Sequence, residues 1–358
     1  LPEIPNFAYI AVNVVALATT KLCAVWSITI FCRFGSERRS VRKGLIQMTV
    51  SDKRYDVIGL GVSTLDLLML AAELPGEEIV QRAHQSVLQG GGPVATAMVT
   101  LARLGSRTAM IDRIGDDWRG RLIIDEFRKE KVSTEHIRVV PGSSSSIASI
   151  TVRRRDGARA IIYSPGDCGA LQPEELSSDV ISESGILHLN GRHWDACLKA
   201  ARIARASGVK VSFDGGAFRH RDDIYMLLEL TDICIVARQF AFAFSGVEDV
   251  ELASAKLMQA GPEIVVVTSG TRGSLVVTKH GDSFQQPAFD IGHAVDTTGA
   301  GDAYHGAFLH GMLTGLDLRG CATLASAVAA MNTRELGGRG GIPTLDEARA
   351  FIAMNERA

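Results

Sequence analysis

Asp302 and the three residues before it are the part of this chain best suited to chemistry. The run Asp296-Thr-Thr-Gly-Ala-Gly-Asp302 sets Gly299, Ala300 and Gly301 directly ahead of a lone carboxylate. Residues with almost no side chain let backbone N–H groups approach an anion closely. The apolar run from Ala303 to Leu313 reads as the helix that follows. Its N-terminus adds partial positive charge where those N–H groups point. A carboxylate beside such an anion hole suits a general base that deprotonates a hydroxyl attacking a phosphoryl group. The plainer reading of the same spacing is a glycine turn with an aspartate helix cap.

Other residues could share a site with this loop. Asp66 lies shortly after the first predicted strand, where the edge of a parallel sheet offers a carboxylate to sugar hydroxyls; a solvated loop aspartate is the alternative. In Gly90-Gly-Gly-Pro93, Gly91 and Gly92 let the backbone approach a ligand, and Pro93 suits a helix start. Val265-Val-Val-Thr-Ser-Gly-Thr-Arg-Gly-Ser274 reads as a strand ending in a glycine turn. Gly59-Leu-Gly61 starts a dinucleotide fingerprint, but Thr64 stands at its third glycine, and no Walker-type glycine-lysine loop occurs. Any ATP site is therefore of another kind.

The elements that must position these residues follow from periodicity. Strands are predicted at 55–60, 107–111, 185–189, 209–213, 233–236 and 263–268, with helices at 93–104 and 120–130 among those between them. This alternation predicts an α/β domain with a mostly parallel sheet. Segments 78–88 and 147–163, the latter turning at Asp156-Gly157, break the rhythm and read as antiparallel strands. The formal charge of −2 gives no basic excess for nucleic acid. Six scattered cysteines without C-x-x-C spacing argue against a zinc site or disulfide framework and fit a reducing cytoplasm. Residues 7–32 are apolar and are followed by Arg33, Arg38, Arg39, Arg42 and Lys43. One reading is a membrane anchor with a positive flank. The favoured one takes residues 1–47 as an upstream extension and starts the domain, 48–358, at Met48, because Lys21 inside the apolar run is costly in a bilayer.

The motif 296–302 resembles the C-terminal signature of the PfkB/ribokinase family of carbohydrate kinases, and 90–105 resembles its N-terminal one. The resemblance runs from about Tyr55 to Pro343. It implies a ribokinase-like three-layer α/β sandwich with a mostly parallel central sheet and a small β lid, its strands near 77–89 and 146–163. It implies ATP-dependent phosphorylation of a sugar hydroxyl, with Asp302 as catalytic base and the amides of Gly299, Ala300 and Gly301 on the transferring phosphate. Asp66, Gly91, Gly92 and Thr96 fall at sugar-binding positions, and Thr268, Gly270, Gly273 and Asn332 at the nucleotide. ATP and Mg2+ are implied, with a K+ site near Asn332; the small sugar is the partner, and lids of this type pair between subunits, so a homodimer fits.

There are departures from the family. The sugar-binding asparagine is replaced by Ala95 or Thr96, and the magnesium-linked Asn-x-x-Glu stretch reads Ala237-Arg-Gln-Phe240. Within the family the pattern is most similar to the sulfofructose kinases, where Arg192 would meet a sulfonate through its fork of donors. The lysine and asparagine of that branch are absent from 77–80 and 161–164. The alternatives are a nucleoside or 2-keto-3-deoxygluconate kinase, or a sugar-sensing module without turnover.

Overall fold

The computed structural model describes residues 53–217 and 219–356; the segment 1–47, and both readings of it, lie outside the described residues. In chain order the strands are β1 (Tyr55–Leu60), β2 (Thr64–Ala71), β3 (Gln85–Gly91), β4 (Thr108–Gly115), β5 (Val132–Ser133), β6 (Ile137–Val140), β7 (Ile147–Arg153), β8 (Arg159–Ser164), β9 (Ser184–Leu189), β10 (Lys210–Asp214), β11 (Ile233–Ala237), β12 (Ile264–Thr268), β13 (Ser274–Thr278) and β14 (Ser283–Gln286). The α-helices are α1 (Pro93–Arg103), α2 (Trp118–Lys129), α3 (Ser178–Ser182), α4 (Trp194–Ala206), α5 (Tyr225–Leu228), α6 (Arg238–Ser245), α7 (Val250–Gln259), α8 (Ala300–Leu313), α9 (Leu318–Asn332) and α10 (Leu345–Asn355).

The main sheet runs β14-β13-β12-β11-β10-β9-β1-β4-β5, with β6 also paired to β4. It is parallel from β12 to β5 and antiparallel only at the β12-β13-β14 edge. A parallel strand is covered on both faces, so its residues are apolar in succession. Ile233 and Ile235 pack into the core under α1, α2, α8, α9 and α10. Cys234 and Val236, alternating with them, pack under α3 to α7. These two cores make the three predicted layers of a ribokinase-like fold. No helix among the described residues is long and apolar enough to cross a membrane.

A second sheet, β3-β2-β7-β8, stands apart as the lid. Its inner face, with Leu68, Leu70, Ala148, Ile150 and Val152, packs around Leu336. The β7–β8 hairpin is where the sequence predicts it. The other lid strand is displaced: expected from residue 78, it begins at Gln85. Pro75-Gly76 breaks the extended chain, Glu78 takes a left-handed backbone (φ 49), and Gln81 hydrogen-bonds back to the Glu73 carbonyl at 2.9 Å. The lid's central strand β2 was not predicted, nor were β13 and β14. The run Thr64-Leu-Asp-Leu-Leu-Met-Leu-Ala71 lacks clean alternation because its burial shifts as it leaves the main domain.

Helix α8 is buried on nearly every side from Ala303 to Met312. It can lie this deep because Gly306 meets α1: a Cβ there would come within 2.6 Å of the Ala97 carbonyl oxygen and 2.7 Å of the Thr100 Cβ. Helix propensity favours alanine over glycine by about 1 kcal/mol. We nevertheless expect Gly306→Ala to destabilise the fold by about 1–3 kcal/mol, since overpacking opposes propensity. Urea denaturation would show this as a lower midpoint; a raised midpoint would mean that α1 and α8 are not in close contact.

Candidate active site

The loop ahead of α8 is held by Asp296, which has no solvent exposure. Its Oδ1 accepts from the Thr298 N–H (2.8 Å), and its Oδ2 from the Gly337 N–H (2.9 Å). One carboxylate thus fixes the turn and ties it to the glycine loop 337–341. Gly299 then caps the helix with φ 71, and a side chain there would collide with the Gly338 carbonyl. Gly301 is different: a Cβ would project into open space. Packing does not require a glycine at 301, and its small size leaves room for a ligand against the helix end. The opening N–H groups of an α-helix have no partners within the helix. The Ala300 N–H turns back to the Thr297 carbonyl at 3.4 Å, and the Gly301 and Asp302 N–H groups open α8 without a backbone partner among the described residues.

Asp302 is half-buried in the first turn and does not act as the cap, since Gly299 takes that position. Desolvation first, and the charge of Asp214 second, push its pKa up to about 7 against the pull of Arg219, Arg159 and Arg339. It forms no ion pair of its own among the described residues, because each arginine is engaged elsewhere. Arg219 donates to Asp214 (2.7 Å), Arg159 to the Thr297 hydroxyl (2.7 Å) and Arg339 to Glu126 (2.8 Å). Asp214 is fully enclosed. Burial opposes its charge, but Arg219, His305, His188 and the Gly216 N–H together hold its pKa below the usual range.

Asp66 stands on β2 inside the lid, not in a loop after β1. It is 8% exposed and accepts from the Thr64 hydroxyl at 2.6 Å. Burial raises its pKa, while Thr64 and Arg339 oppose the rise. Gly91, on the neighbouring strand β3, must be glycine because a side chain would strike the Asp66 carboxylate. Gly92 has φ 93, and a side chain there would strike the Val62 carbonyl. Arg339, 2% exposed, ties this region together. It donates to Glu126, to the Gly91 carbonyl (3.0 Å) and to the Thr96 hydroxyl (3.2 Å). Thr96 is thus buried, with its hydroxyl accepting from Arg339.

Arg192 is exposed, makes no ion pair among the described residues, and lies 6.0 Å from the ring centre of Tyr163 on lid strand β8. Beside it, His193 Nδ1 accepts from the Leu171 N–H (2.9 Å), which leaves Nε2–H to face Asp112 at 3.2 Å. Asp112 in turn accepts from the Ser63 N–H (2.6 Å) in the link between β1 and β2.

On the opposite flank, Thr268 ends β12 and donates to the Val236 carbonyl at 3.3 Å. Gly270 and Gly273 follow with φ 60 and 81. A side chain at Gly273 would strike the Gln286 carbonyl, whereas one at Gly270 would meet nothing. Asn332 is fully buried and donates to the Gly338 carbonyl at 3.0 Å, while its Oδ1 has no partner among the described residues. The lid reaches across to this side through the Arg159 bond to Thr297 and a 3.1 Å contact between His293 Nε2 and the Arg154 carbonyl.

Sequence reasoning missed Arg219, Arg339, His188 and His305. One signal was present: His188 interrupts the apolar strand Ser184–Leu189, and an ionisable residue at an inward strand position is rarely there for packing.

The arrangement sets an unpaired, partly desolvated carboxylate beside helix N–H donors that can hold an anion. That pairing suits one class of protein, a ribokinase-like kinase that hands a phosphoryl group to an alcohol. Residues 56–345 match the pfkB family carbohydrate kinases, and the chain belongs to that family. It is similar to a 5-dehydro-2-deoxygluconokinase of Listeria monocytogenes, with 30% identity over 328 residues, 86% of this chain and 98% of the relative. It is also similar to an ATP-dependent ribose-1-phosphate kinase of Halopiger xanaduensis, with 30% identity over 300 residues, 83% of this chain and 98% of the relative. The fold matches an E. coli protein solved in complex with ATP and Mg2+ (TM-score 0.74, 23% identity, 84% of this chain and 99% of that one). These relatives support the family and give the finer resemblance to sulfofructose kinases no support.

We expect Arg339→Met to destabilise the protein by about 3–5 kcal/mol, because it leaves Glu126 half of a broken, largely buried ion pair. Chemical denaturation would measure this. A loss below about 1 kcal/mol, the scale of an exposed pair, would show that the network does not hold the site together.

Proposed function

We propose that the protein phosphorylates a hydroxyl of a small keto sugar acid with ATP, using Asp302 as general base. The observation that carries this reading is the placement of Asp302 at the N-terminus of α8, its pKa pushed up to about 7 by desolvation and by Asp214. A base works best when its pKa lies near the working pH. Asp302 takes the proton as the sugar hydroxyl attacks the γ-phosphate in line. The amides of Gly299, Ala300 and Gly301 hold the phosphoryl oxygens, and the α8 dipole favours their charge. Asp66 and the Gly91–Gly92 backbone orient the sugar. The lid, docked through Arg159 on Thr297, excludes water so that ATP is not simply hydrolysed.

The relatives named 5-dehydro-2-deoxygluconokinase suggest an acidic substrate. The unpaired Arg192 at the lid edge supplies a cation for its carboxylate. Thr268, Gly270 and Gly273 border the nucleotide. Mg2+ would neutralise the phosphates during transfer. Mg2+ usually keeps several waters and binds through the substrate phosphates, so it would arrive with the nucleotide. The buried, unpartnered Asn332 Oδ1 is an oxygen that K+ could take. The intact base and anion loop favour turnover over sugar sensing.

The test is ADP release with ATP and Mg2+ across 5-dehydro-2-deoxygluconate, 2-keto-3-deoxygluconate, 6-deoxy-6-sulfofructose, ribose 1-phosphate, ribose and nucleosides. We expect preference for a keto sugar acid and a rise in KM for it, with little change in kcat, in Arg192→Ala. Preference for an uncharged sugar or nucleoside would overturn the substrate assignment. Asp302→Asn should lower kcat by about 10²–10⁴-fold. In the wild type, kcat/KM should fall as pH drops through about 7, because Asp302 becomes protonated there. A flat profile down to pH 5 would sink the assignment of the base.

A further inference from the structure

Behind the first turn of α8 lies a buried polar cluster that proton transfer by Asp302 does not by itself require. Asp214, the last residue of β10, is 1% exposed. Its Oδ2 accepts from Arg219 Nη2 at 2.7 Å and its Oδ1 from the Gly216 N–H at 2.7 Å. His305, one helical turn along α8 from Asp302, brings Nε2 to 3.4 Å from the same Oδ1. The His188 ring, on β9, lies 5.5 Å from that of His305, and its Nδ1 meets the Ser212 hydroxyl at 3.0 Å. His188 Nε2, His305 Nδ1 and Arg219 Nε have no hydrogen-bond partner among the described residues. Such a cluster costs stability, and apolar residues would often fill the space as well or better.

The charges facing each carboxylate show what the cluster can do. Asp302 is faced by Asp214 from β10, Arg219 from the loop after it, Arg159 from the lid and Arg339 from the glycine loop. Asp214 is faced by Arg219, by His305 from α8 and by His188 from β9. Burial, with help from neighbouring charges, holds both imidazoles below their usual range, so neither supplies a full positive charge near neutrality. Among the described residues, Arg219 is then the one formal cation in contact with Asp214. This arrangement keeps an anion fixed beneath the helix turn that carries Asp302.

We propose that Asp214 is a positioning residue for phosphoryl transfer, its buried carboxylate held by Arg219 and set against His305 beneath the helix turn that carries Asp302. This rests on the reading of Asp302 as the base. Asp214 touches neither sugar nor nucleotide in this role. It acts on the proton through the field it sets at Asp302. Arg219 works in the opposite sense, and the two side chains together set the pH at which the base becomes available.

The test is the pH dependence of kcat/KM in the full-length chain, comparing wild type, Asp214→Asn, Arg219→Gln and Asp302→Asn. Removing a like charge near a carboxylate lowers its pKa, so Asp214→Asn should move the acid limb down by about one unit or more. Arg219→Gln should move it up. Both variants should keep turnover above the limb, with Asp214→Asn slower there because the base is weaker. Limbs that stay in place, or move in the same direction, would overturn the proposal. If Asp214→Asn fails to fold, Arg219→Gln still decides: no upward shift overturns it. An inactive Asp302→Asn with unmoved limbs in the other two variants would defeat this inference alone. Full turnover by Asp302→Asn would defeat the base assignment and this inference with it.

Discussion

A carboxylate that serves as a base near neutrality has to be kept from water and from any cation close enough to pair with it. In the role proposed for Asp302, the surrounding site meets that constraint. Three guanidinium groups stand within its electrostatic reach, and each is anchored to another acceptor: Arg219 on Asp214, Arg339 on Glu126 and Arg159 on Thr297. They supply positive potential at this end of α8 without pairing with Asp302. The N-terminus of α8 adds donors in the same place. Its dipole would by itself make Asp302 more acidic. Desolvation and Asp214 outweigh that pull.

The same constraint explains why the lid is so firmly connected. β2 leaves β1 after a link of three residues, and Asp66 rides on β2. The far end of the lid reaches Thr297, three residues from the first residue of α8. The Asp66 carboxylate and the loop ahead of α8 are therefore joined through one small sheet. A ligand that orders one end favours order at the other, and the effect is reciprocal by linkage.

Much of this was legible in the sequence because it is written locally. The glycines at 299 and 301, Asp302 and the apolar run after them lie consecutively, and the parallel strands announce themselves as short β-branched runs. What was not legible depends on residues far apart in the chain. Arg339 sits in a glycine loop that gives no hint of partners at Gly91, Thr96 and Glu126. Arg219 reads as a loop arginine until β10 and α8 are brought together over Asp214. Strand β2 was missed because its apolar residues do not alternate, and β3 was placed too early because Pro75-Gly76 and Glu78 break the extension. The motif also gives no sign that Thr96 and Asn332 are buried and tied to the glycine loop, Thr96 through Arg339 and Asn332 through the Gly338 carbonyl.

The Arg339 bridge also has a consequence for how the protein is made. Its partners lie 213 to 248 residues earlier in the chain. At ordinary translation speeds of about 5–20 residues per second, roughly 10–50 s separate the synthesis of Glu126 or Gly91 from that of the guanidinium they await. Through that interval the first half of the cleft exists without the residue that fastens it, so a growing chain can acquire β1, β4 and α1 well before it has a working site. Loss of the last few dozen residues would do more than shorten the product: it would strand a carboxylate at the heart of the part already folded.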